Sequence, residues 1–396
     1  MLSSLQCDVC MIYLDNASTT KLDPSVLEAM MPYLTEQYGN AGTLYALGRS
    51  AKAAVDKARQ QVAGFINAKP EEIIFTSGGT EANNAVYKNL CGFLNHAKKT
   101  HIIFAHNHHV SEVSAAENLC IKPQFHYTAV NPNSRGVVEA FDIENALQDD
   151  TGLVSVMYMN NETGSVNPVQ EIGAMCAARG ILFHTDCVQA AGCCEIDVEA
   201  IKCTTLSMSS HKIHGPKGVG ALYIRDKTLL SPIMNGGSTQ EFGLRGGTEN
   251  VAGIVGFGAA CELMGQKLHE IDAHNSALKQ VFYNQLVQSL TELSLDDILH
   301  VNGDLVFKHG KILNLRFDGV DGETLVLLLD TKGVCVSAGS ACNAHESVPS
   351  HVLLSMGISP EDARNSIRVS FSKFNTEQEV ISAARTMATC VALLKR

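Results

Sequence analysis

Five short apolar runs, each closed by turn residues and separated from its neighbours by a helical stretch, constrain this chain more than any other feature: residues 72–76, 102–105, 153–158, 181–185 and 220–224. Runs of this length without polar alternation are buried on both faces, the pattern of a mainly parallel sheet covered by helices. Between them the 3.6-residue periodicity predicts helices over 48–66, 80–96 and 169–178, the last ending before Gly180, where a left-handed C-terminal residue belongs. The fold class is α/β.

After Gly253 the texture changes. A long Ala/Leu/Met-rich helix runs towards Leu293, followed by short strands over 311–317 and 334–337 and a closing helix over 376–395. This reads as a smaller α+β domain against which the Met11-Ile12-Tyr13-Leu14 segment packs. The expected division is a large domain over 15–260 and a small one made of 1–14 and 261–396. No repeat, low-complexity tract or Pro/Ser-rich linker interrupts the chain, so the boundary is a helix rather than a tether. At 396 residues the chain buries a large core.

Composition excludes several functions. With 45% hydrophobic and 18% charged residues and no apolar run of membrane-spanning length, a soluble, non-membrane protein is expected, and its first ten residues lack the basic and apolar regions of a signal peptide. The net charge of −11, without a Lys/Arg run, argues against direct nucleic-acid binding. Thirteen scattered cysteines do not form a disulfide framework and point to a reducing compartment, hence the cytoplasm.

The chemistry concentrates in a few motifs. Ser207-Met208-Ser209-Ser210-His211-Lys212 precedes the Gly/Pro-broken loop Ile213 to Gly220. A desolvated lysine there would be nucleophilic, and glycines would let the backbone approach a bulky cofactor such as pyridoxal phosphate (PLP). A lone His-Lys dipeptide beside a turn is ordinarily a loop lysine. Thr76-Ser77-Gly78-Gly79-Thr80-Glu81 follows a strand and opens a helix, which makes Gly79 and Thr80 candidate phosphate ligands, although such a turn by itself is more often just an N-cap. Asp186 and Gln189, in His184-Thr185-Asp186-Cys187-Val188-Gln189, fall at a strand's carboxyl end, where α/β folds bind ligands and where an Asp can pair with a pyridinium nitrogen or simply cap the next turn. His106-Asn107-His108-His109 follows another strand end and reads as an aromatic stack, a metal site or a solvated loop; no nearby Cys/His spacing completes a metal set. Cys342, in Gly339-Ser340-Ala341-Cys342-Asn343-Ala344, sits in a small-residue loop where exposure and reactivity are plausible, whereas Cys7 with Cys10 and Cys193 with Cys194 read as packing.

Taken in order, from Tyr13-Leu14-Asp15-Asn16-Ala17-Ser18-Thr19-Thr20 to Ser366-Ile367-Arg368-Val369-Ser370, these motifs closely resemble the cysteine desulfurases, PLP enzymes of fold type I in the class V aminotransferase group. Ser337-Ala338-Gly339-Ser340-Ala341-Cys342 is similar to the long-loop subgroup. The resemblance implies a mainly parallel seven-stranded sheet in the large domain and a small domain carrying the Cys342 loop. It implies that Lys212 forms the Schiff base with PLP and that Gly79, Thr80, Ser209 and His211 hold its phosphate. His109 would stack on the ring, Asp186 would meet the pyridine nitrogen, Gln189 the ring oxygen, and Asn161 the cofactor or substrate. Arg368 would hold the carboxylate of L-cysteine. Thr248, in Arg245-Gly246-Gly247-Thr248-Glu249-Asn250, would reach the partner's phosphate in a homodimer.

The implied reaction removes sulfur from L-cysteine, leaving alanine and a persulfide on Cys342. Lys212 would move the α-proton, and His109 would serve as proton acceptor if the Cys342 thiol needs one. A sulfur-acceptor protein would then serve iron–sulfur cluster assembly, tRNA thiolation or DNA phosphorothioation. The competing readings are a selenocysteine lyase and a weakly catalytic sulfur-transfer scaffold. Two positions depart from the family pattern. Asn40-Ala41-Gly42-Thr43-Leu44-Tyr45 stands where Asn-Pro-Ser-Ser before a His is usual, and His108 stands where an acidic residue usually precedes the ring-stacking His, which would alter the protonation of His109.

Overall fold

The computed structural model describes residues 11–304, 310–338 and 348–395. Its centre is a seven-stranded sheet. In chain order its strands are β2 (Ile73–Thr76), β3 (His101–Ala105), β4 (His126–Val130), β5 (Thr151–Ser155), β6 (Leu182–Asp186), β7 (Thr205–Ser209) and β8 (Gly220–Ile224), after a short β1 (Ile12–Tyr13) that lies elsewhere. The spatial order is β2-β8-β7-β6-β5-β3-β4. β8 runs antiparallel to both β2 and β7; every other pair is parallel.

All five apolar runs are strands here, 220–224 with its own bounds and the other four offset by one to three residues at one or both ends. Glu72 belongs to a 3₁₀ turn rather than to β2. Two strands carry no apolar run. β4 is an edge strand, half exposed, so its His-Tyr-Thr-Ala-Val sequence does not have to be hydrophobic. β7 is fully buried yet alternates Thr and Ser with Leu and Met. One of its hydroxyls is satisfied across the sheet, Thr205 Oγ1 lying 2.9 Å from His184 Nδ1.

Helices cover the sheet. Ala46–Phe65 and Gly79–His96 each begin one or two residues earlier than their periodicity predicts, and Val169–Ala178 has its predicted bounds, with Gly180 at φ +65° just past its end. The stretch after Gly253 is one continuous helix, Val251–Glu292, about 63 Å long at 1.5 Å per residue. Its first half packs into the main core through Met264, Leu268 and Ile271. Its second half packs through Leu278, Phe282, Leu286 and Leu290 into a separate cluster with Leu315, Phe317, Val369 and Phe371.

That second cluster is built on a three-stranded antiparallel sheet of β9 (Leu299–Asn302), β10 (Ile312–Phe317) and, after β11 (Val334–Cys335), β12 (Ser366–Ser370). β1 pairs in parallel with β11, and Leu14 joins the same cluster. The closing helix Glu377–Leu394 starts with a reciprocal cap: Thr376 Oγ1 accepts the Glu379 N–H, and Glu379 accepts that of Thr376. Such a cap contributes about 1 kcal/mol. Among the described residues no helix is long and apolar enough to cross a membrane.

Candidate active site

A cavity of about 310 Å³ opens at the carboxyl edge of the large sheet. The parallel strands converge on it: β6 ends in Asp186, β7 in Ser209, β3 leads to His109, and β5 leads to Asn161. From the other unit, β12 contributes Arg368. Of the twelve residues singled out from the sequence, Gly79, Thr80, His109, Asn161 and Asp186 line this one cavity, as do Gln189, Ser209, His211, Lys212 and Arg368. Thr248 is exposed and outside the lining, and Cys342 lies outside the described residues.

Lys212 closes the 3₁₀ turn Ser210–Lys212 that follows β7. Its Nζ donates to Ala17 O at 2.6 Å and Ser18 O at 2.8 Å, so the Asp15–Thr20 segment holds the amine within the cavity. His211 Nδ1 lies 3.1 Å from Thr19 Oγ1. Burial, reinforced by Lys212, Lys217 and Lys311, pushes its pKa down to about 4, so His211 is neutral at neutral pH.

Asp186 is 3% exposed. Its Oδ1 accepts the Val188 N–H at 2.8 Å, and its Oδ2 accepts Asn83 Nδ2 at 2.7 Å. Three residues on, Gln189 donates Nε2 to Ala17 O at 2.8 Å, while its Oε1 is buried without a partner among the described residues. The Asn160 side chain ties the next turn by accepting the N–H groups of Glu162 and Thr163, and the neighbouring Asn161 Oδ1 is also buried and, among the described residues, unpaired. Arg368 reaches Asp15 Oδ1 at 2.9 Å, Ser18 Oγ at 2.7 Å and Asn161 O at 2.8 Å.

The helix Gly79–His96 points its N-terminus at the cavity, with no side chain capping its first amides. Those N–H groups and the helix dipole form an anion site. A Cβ on Gly79 would come within 2.7 Å of Val188 Cγ2, so the cradle requires glycine there. Burial alone would raise the Glu81 carboxyl, but Arg245 and the Ser77 N–H outweigh it and hold it below the usual range. The resulting Arg245–Glu81 pair, 3.0 Å, anchors the loop that carries Thr248 beside the start of this helix.

His109 caps the helix Val110–Leu119: its Nδ1 accepts the Ser111 N–H at 3.2 Å and lies 2.8 Å from Ser111 Oγ. Burial lowers its pKa, against the opposing pull of Asp186. Its neighbour His108 is fully buried, with Nε2 2.8 Å from Ser155 O and Nδ1 3.2 Å from Glu112 Oε2. A carboxylate therefore does stand beside His108, supplied one helical turn later. Glu112 also receives Ser155 Oγ and Tyr87 OH. Burial would raise Glu112, but His108 and His184 together with Ser155 bring it down to about 2.

A folded pKa below the ordinary 4.5 stabilises the fold above that value, and the contribution disappears as pH falls from about 4.5 to about 2. We expect Glu112→Gln to lose about 3 kcal/mol at pH 7, and the gap from wild type to narrow in urea titrations below pH 4.

His106 bonds Asn131 at 2.7 Å instead of completing a metal set. A His101/His126/Asp150 group lies at the opposite sheet edge, but both His101 nitrogens already bond Thr151 and Thr128. Cys193 and Cys194 are buried, their thiols pushed up by burial. Asn83, Ser111, Glu162 and His351 also shape the cavity, though no sequence motif had singled them out. Each is an ordinary helix or turn residue whose role exists only once distant segments meet.

The donor set fits a planar, phosphorylated pyridine aldehyde such as PLP: a glycine-lined anion site at one end, a buried carboxylate and an unpaired amide oxygen for the ring, and a held amine for the aldehyde. The Aminotransferase class-V family model matches residues 12–382. "Cysteine desulfurase IscS" of Clostridium botulinum (strain Hall) is 42% identical over 371 residues, 93% of this chain and 91% of that protein. "Cysteine desulfurase IscS" of Methanosarcina thermophila is 40% identical over 372 residues, 93% and 89% of the two chains. Among solved structures, a "NifS-like protein" superposes with TM-score 0.88 at 34% identity over 97% of this chain and 100% of that one. "SspA in complex with cysteine" gives 0.76 at 31% identity over 92% and 99%.

Proposed function

The chain belongs to the aminotransferase class-V family and, within it, is a PLP-dependent cysteine desulfurase; we propose that its sulfur leaves as a persulfide on Cys342 for a separate acceptor. The carrying observation is that Lys212, Asp186 and Arg368 share one cavity, because a scaffold that only relays sulfur has no use for that set.

Bound there, PLP supplies an aldehyde for the substrate amine and a ring that accepts negative charge from Cα. The other roles belong to the chain. Gly79, Thr80, Ser209 and His211 hold the phosphate, with Thr248 added from a second subunit of a homodimer. The exposure of Thr248 and the anchoring of its loop support that reading. Asp186 and Gln189 fix the ring edge, His109 covers its face, and Asn161 lies at the substrate end. Arg368 binds the substrate carboxylate by giving up part of its contact with Asp15 and Ser18, and its Nε, unpaired among the described residues, leaves further donor capacity. Lys212 takes the α-proton and returns it.

The thiolate of Cys342 then attacks the substrate sulfur. A new S–S bond forms, the Cβ–S bond breaks with its electrons going to carbon, and protonation there completes alanine. L-cysteine and a thiol thus give alanine and a persulfide, with no oxidant required. The acceptor belongs to iron–sulfur cluster assembly, tRNA thiolation or DNA phosphorothioation, and the free cysteines among the described residues support a reducing, cytoplasmic setting.

In the test, L-cysteine labelled with ³⁵S is added to the holoenzyme, and both alanine and protein-bound label are counted. Cys342→Ala should keep the visible cofactor absorbance and lose the bound label, with alanine formation down at least about 100-fold. Unchanged turnover in that variant would remove Cys342 from the sulfur route.

A further inference from the structure

At neutral pH an amino-acid substrate arrives as an ammonium, and its nitrogen is no nucleophile until one proton has left. Three groups in the cavity are poor acceptors for that proton. On the reading above, the Lys212 nitrogen is the one that meets the cofactor aldehyde, so it is already engaged when the substrate enters. His211 is a weak base, with a pKa of about 4. His109 uses Nδ1 to accept the Ser111 N–H, so in the neutral ring the proton sits on Nε2 and the one basic lone pair is already engaged.

His351 has the opposite arrangement. Its Nε2 lies 2.8 Å from the carbonyl oxygen of His108, and because a carbonyl can only accept, Nε2 carries the hydrogen. Nδ1 of the neutral ring therefore holds a lone pair. The ring lines the same cavity as Lys212 and Arg368. Its backbone is fixed by Ser350, which donates its hydroxyl to the buried Glu162 carboxylate and accepts the Leu353 N–H.

Resting on the desulfurase reading above, we propose that His351 is a further catalytic residue of this enzyme, whose Nδ1 accepts the ammonium proton of the entering amino acid. One N–H bond of the ammonium breaks and its electron pair stays on nitrogen. The proton bonds to Nδ1, and the imidazolium so formed strengthens its bond to the His108 carbonyl until solvent removes the proton. The charged and titratable groups that line the cavity with this ring are His109 at the start of the Val110–Leu119 helix, Glu162 from the turn after β5, Asp186 from β6, His211 and Lys212 after β7, and Arg368 from β12, while His108 meets it through its carbonyl oxygen. Arg368 and His351 line the same cavity, so a substrate whose carboxylate Arg368 binds carries its ammonium, on the adjacent carbon, into the space that His351 also lines.

The experiment uses holoenzyme with L-cysteine across pH 6 to 9. His351→Gln keeps a donor for the His108 carbonyl but has no base. Its kcat/KM at pH 7 should fall about 100-fold, and the acid limb of its profile should follow the substrate ammonium instead of an imidazole. His351→Ala should recover rate with added imidazole. In apoprotein, diethyl pyrocarbonate followed by peptide mapping should modify His351 before His109, a readout that depends on neither turnover nor the folding of a variant. His351→Gln within threefold of wild type with an unshifted acid limb, or faster modification of His109, overturns the proposal. Wild-type holoenzyme that releases no alanine would instead overturn the desulfurase reading.

Discussion

Lys212→Ala should form alanine from L-cysteine about 10⁴-fold more slowly than wild type and lose the visible absorbance of lysine-bound cofactor. On the proposed roles, two functions disappear with one side chain. The amine that meets the cofactor aldehyde is gone, and so is the base for the α-proton, which alone is worth about 10² to 10⁴ in rate. Each factor of ten is about 1.4 kcal/mol of barrier, so the expected loss is about 5 to 6 kcal/mol. The fold should survive: the deletion removes one donor from Ser18 O and one from Ala17 O, which keeps Gln189 Nε2, a loss of about 1 kcal/mol per bond in a partly buried position. Lys212→Arg is the sharper control, because a guanidinium can satisfy those carbonyls but cannot act as a base near neutral pH. Single-turnover alanine formation in both variants separates the readings. A rate in Lys212→Arg near wild type would mean that the amine only braces the Asp15–Thr20 segment and that the proton is moved elsewhere.

Much of this site was legible because it depends on strand ends. Asp186 stands at the close of an apolar run and Gly79 at the opening of a helix, so the α/β alternation places both at one sheet edge before any coordinates exist. β7 escaped because its hydroxyl side chains are buried, Thr205 bonding His184 across the sheet, which breaks the rule that a central strand reads as a hydrophobic run. The single helix Val251–Glu292 shows a different limit. Periodicity predicts its length, but nothing local marks where its packing passes from one core to the other, between Ile271 and Leu278. The sequence marks His108 as standing where an acidic residue is usual but does not show its partner Glu112, four residues on, because the pair becomes meaningful only when helix geometry and complete burial bring the two groups together. His351 was invisible for a related reason: its hydrogen-bond partner, the His108 carbonyl, is 243 residues away.

Asp186→Asn should lower kcat about 1000-fold while the cofactor stays bound. The two carboxylate oxygens of Asp186 each accept a donor, the Val188 N–H and Asn83 Nδ2. An amide has only one oxygen, so its NH₂ group must oppose one of those donors. Asn83 cannot simply turn over to meet it, because Asn83 Oδ1 faces His184 Nε2 at 3.4 Å and its Nδ2 also bonds Ser111 Oγ at 3.1 Å. The local hydrogen-bond loss is about 1 to 3 kcal/mol and falls on stability. The catalytic loss has another source. A carboxylate about 4 Å from a protonated ring nitrogen contributes about 4 kcal/mol at an effective dielectric of 20, and without it the ring gives up its proton and accepts charge from Cα far less well. That figure corresponds to about 10³ in rate. On the proposed roles, phosphate affinity is set by the first turn of the Gly79–His96 helix, which Asp186 meets only through Asn83 one turn further in. Cofactor content by absorbance and stopped-flow alanine formation therefore report different parts of the site. A variant with full cofactor content and a rate within tenfold of wild type would mean that the Asp186 charge serves its own hydrogen-bond network rather than the ring.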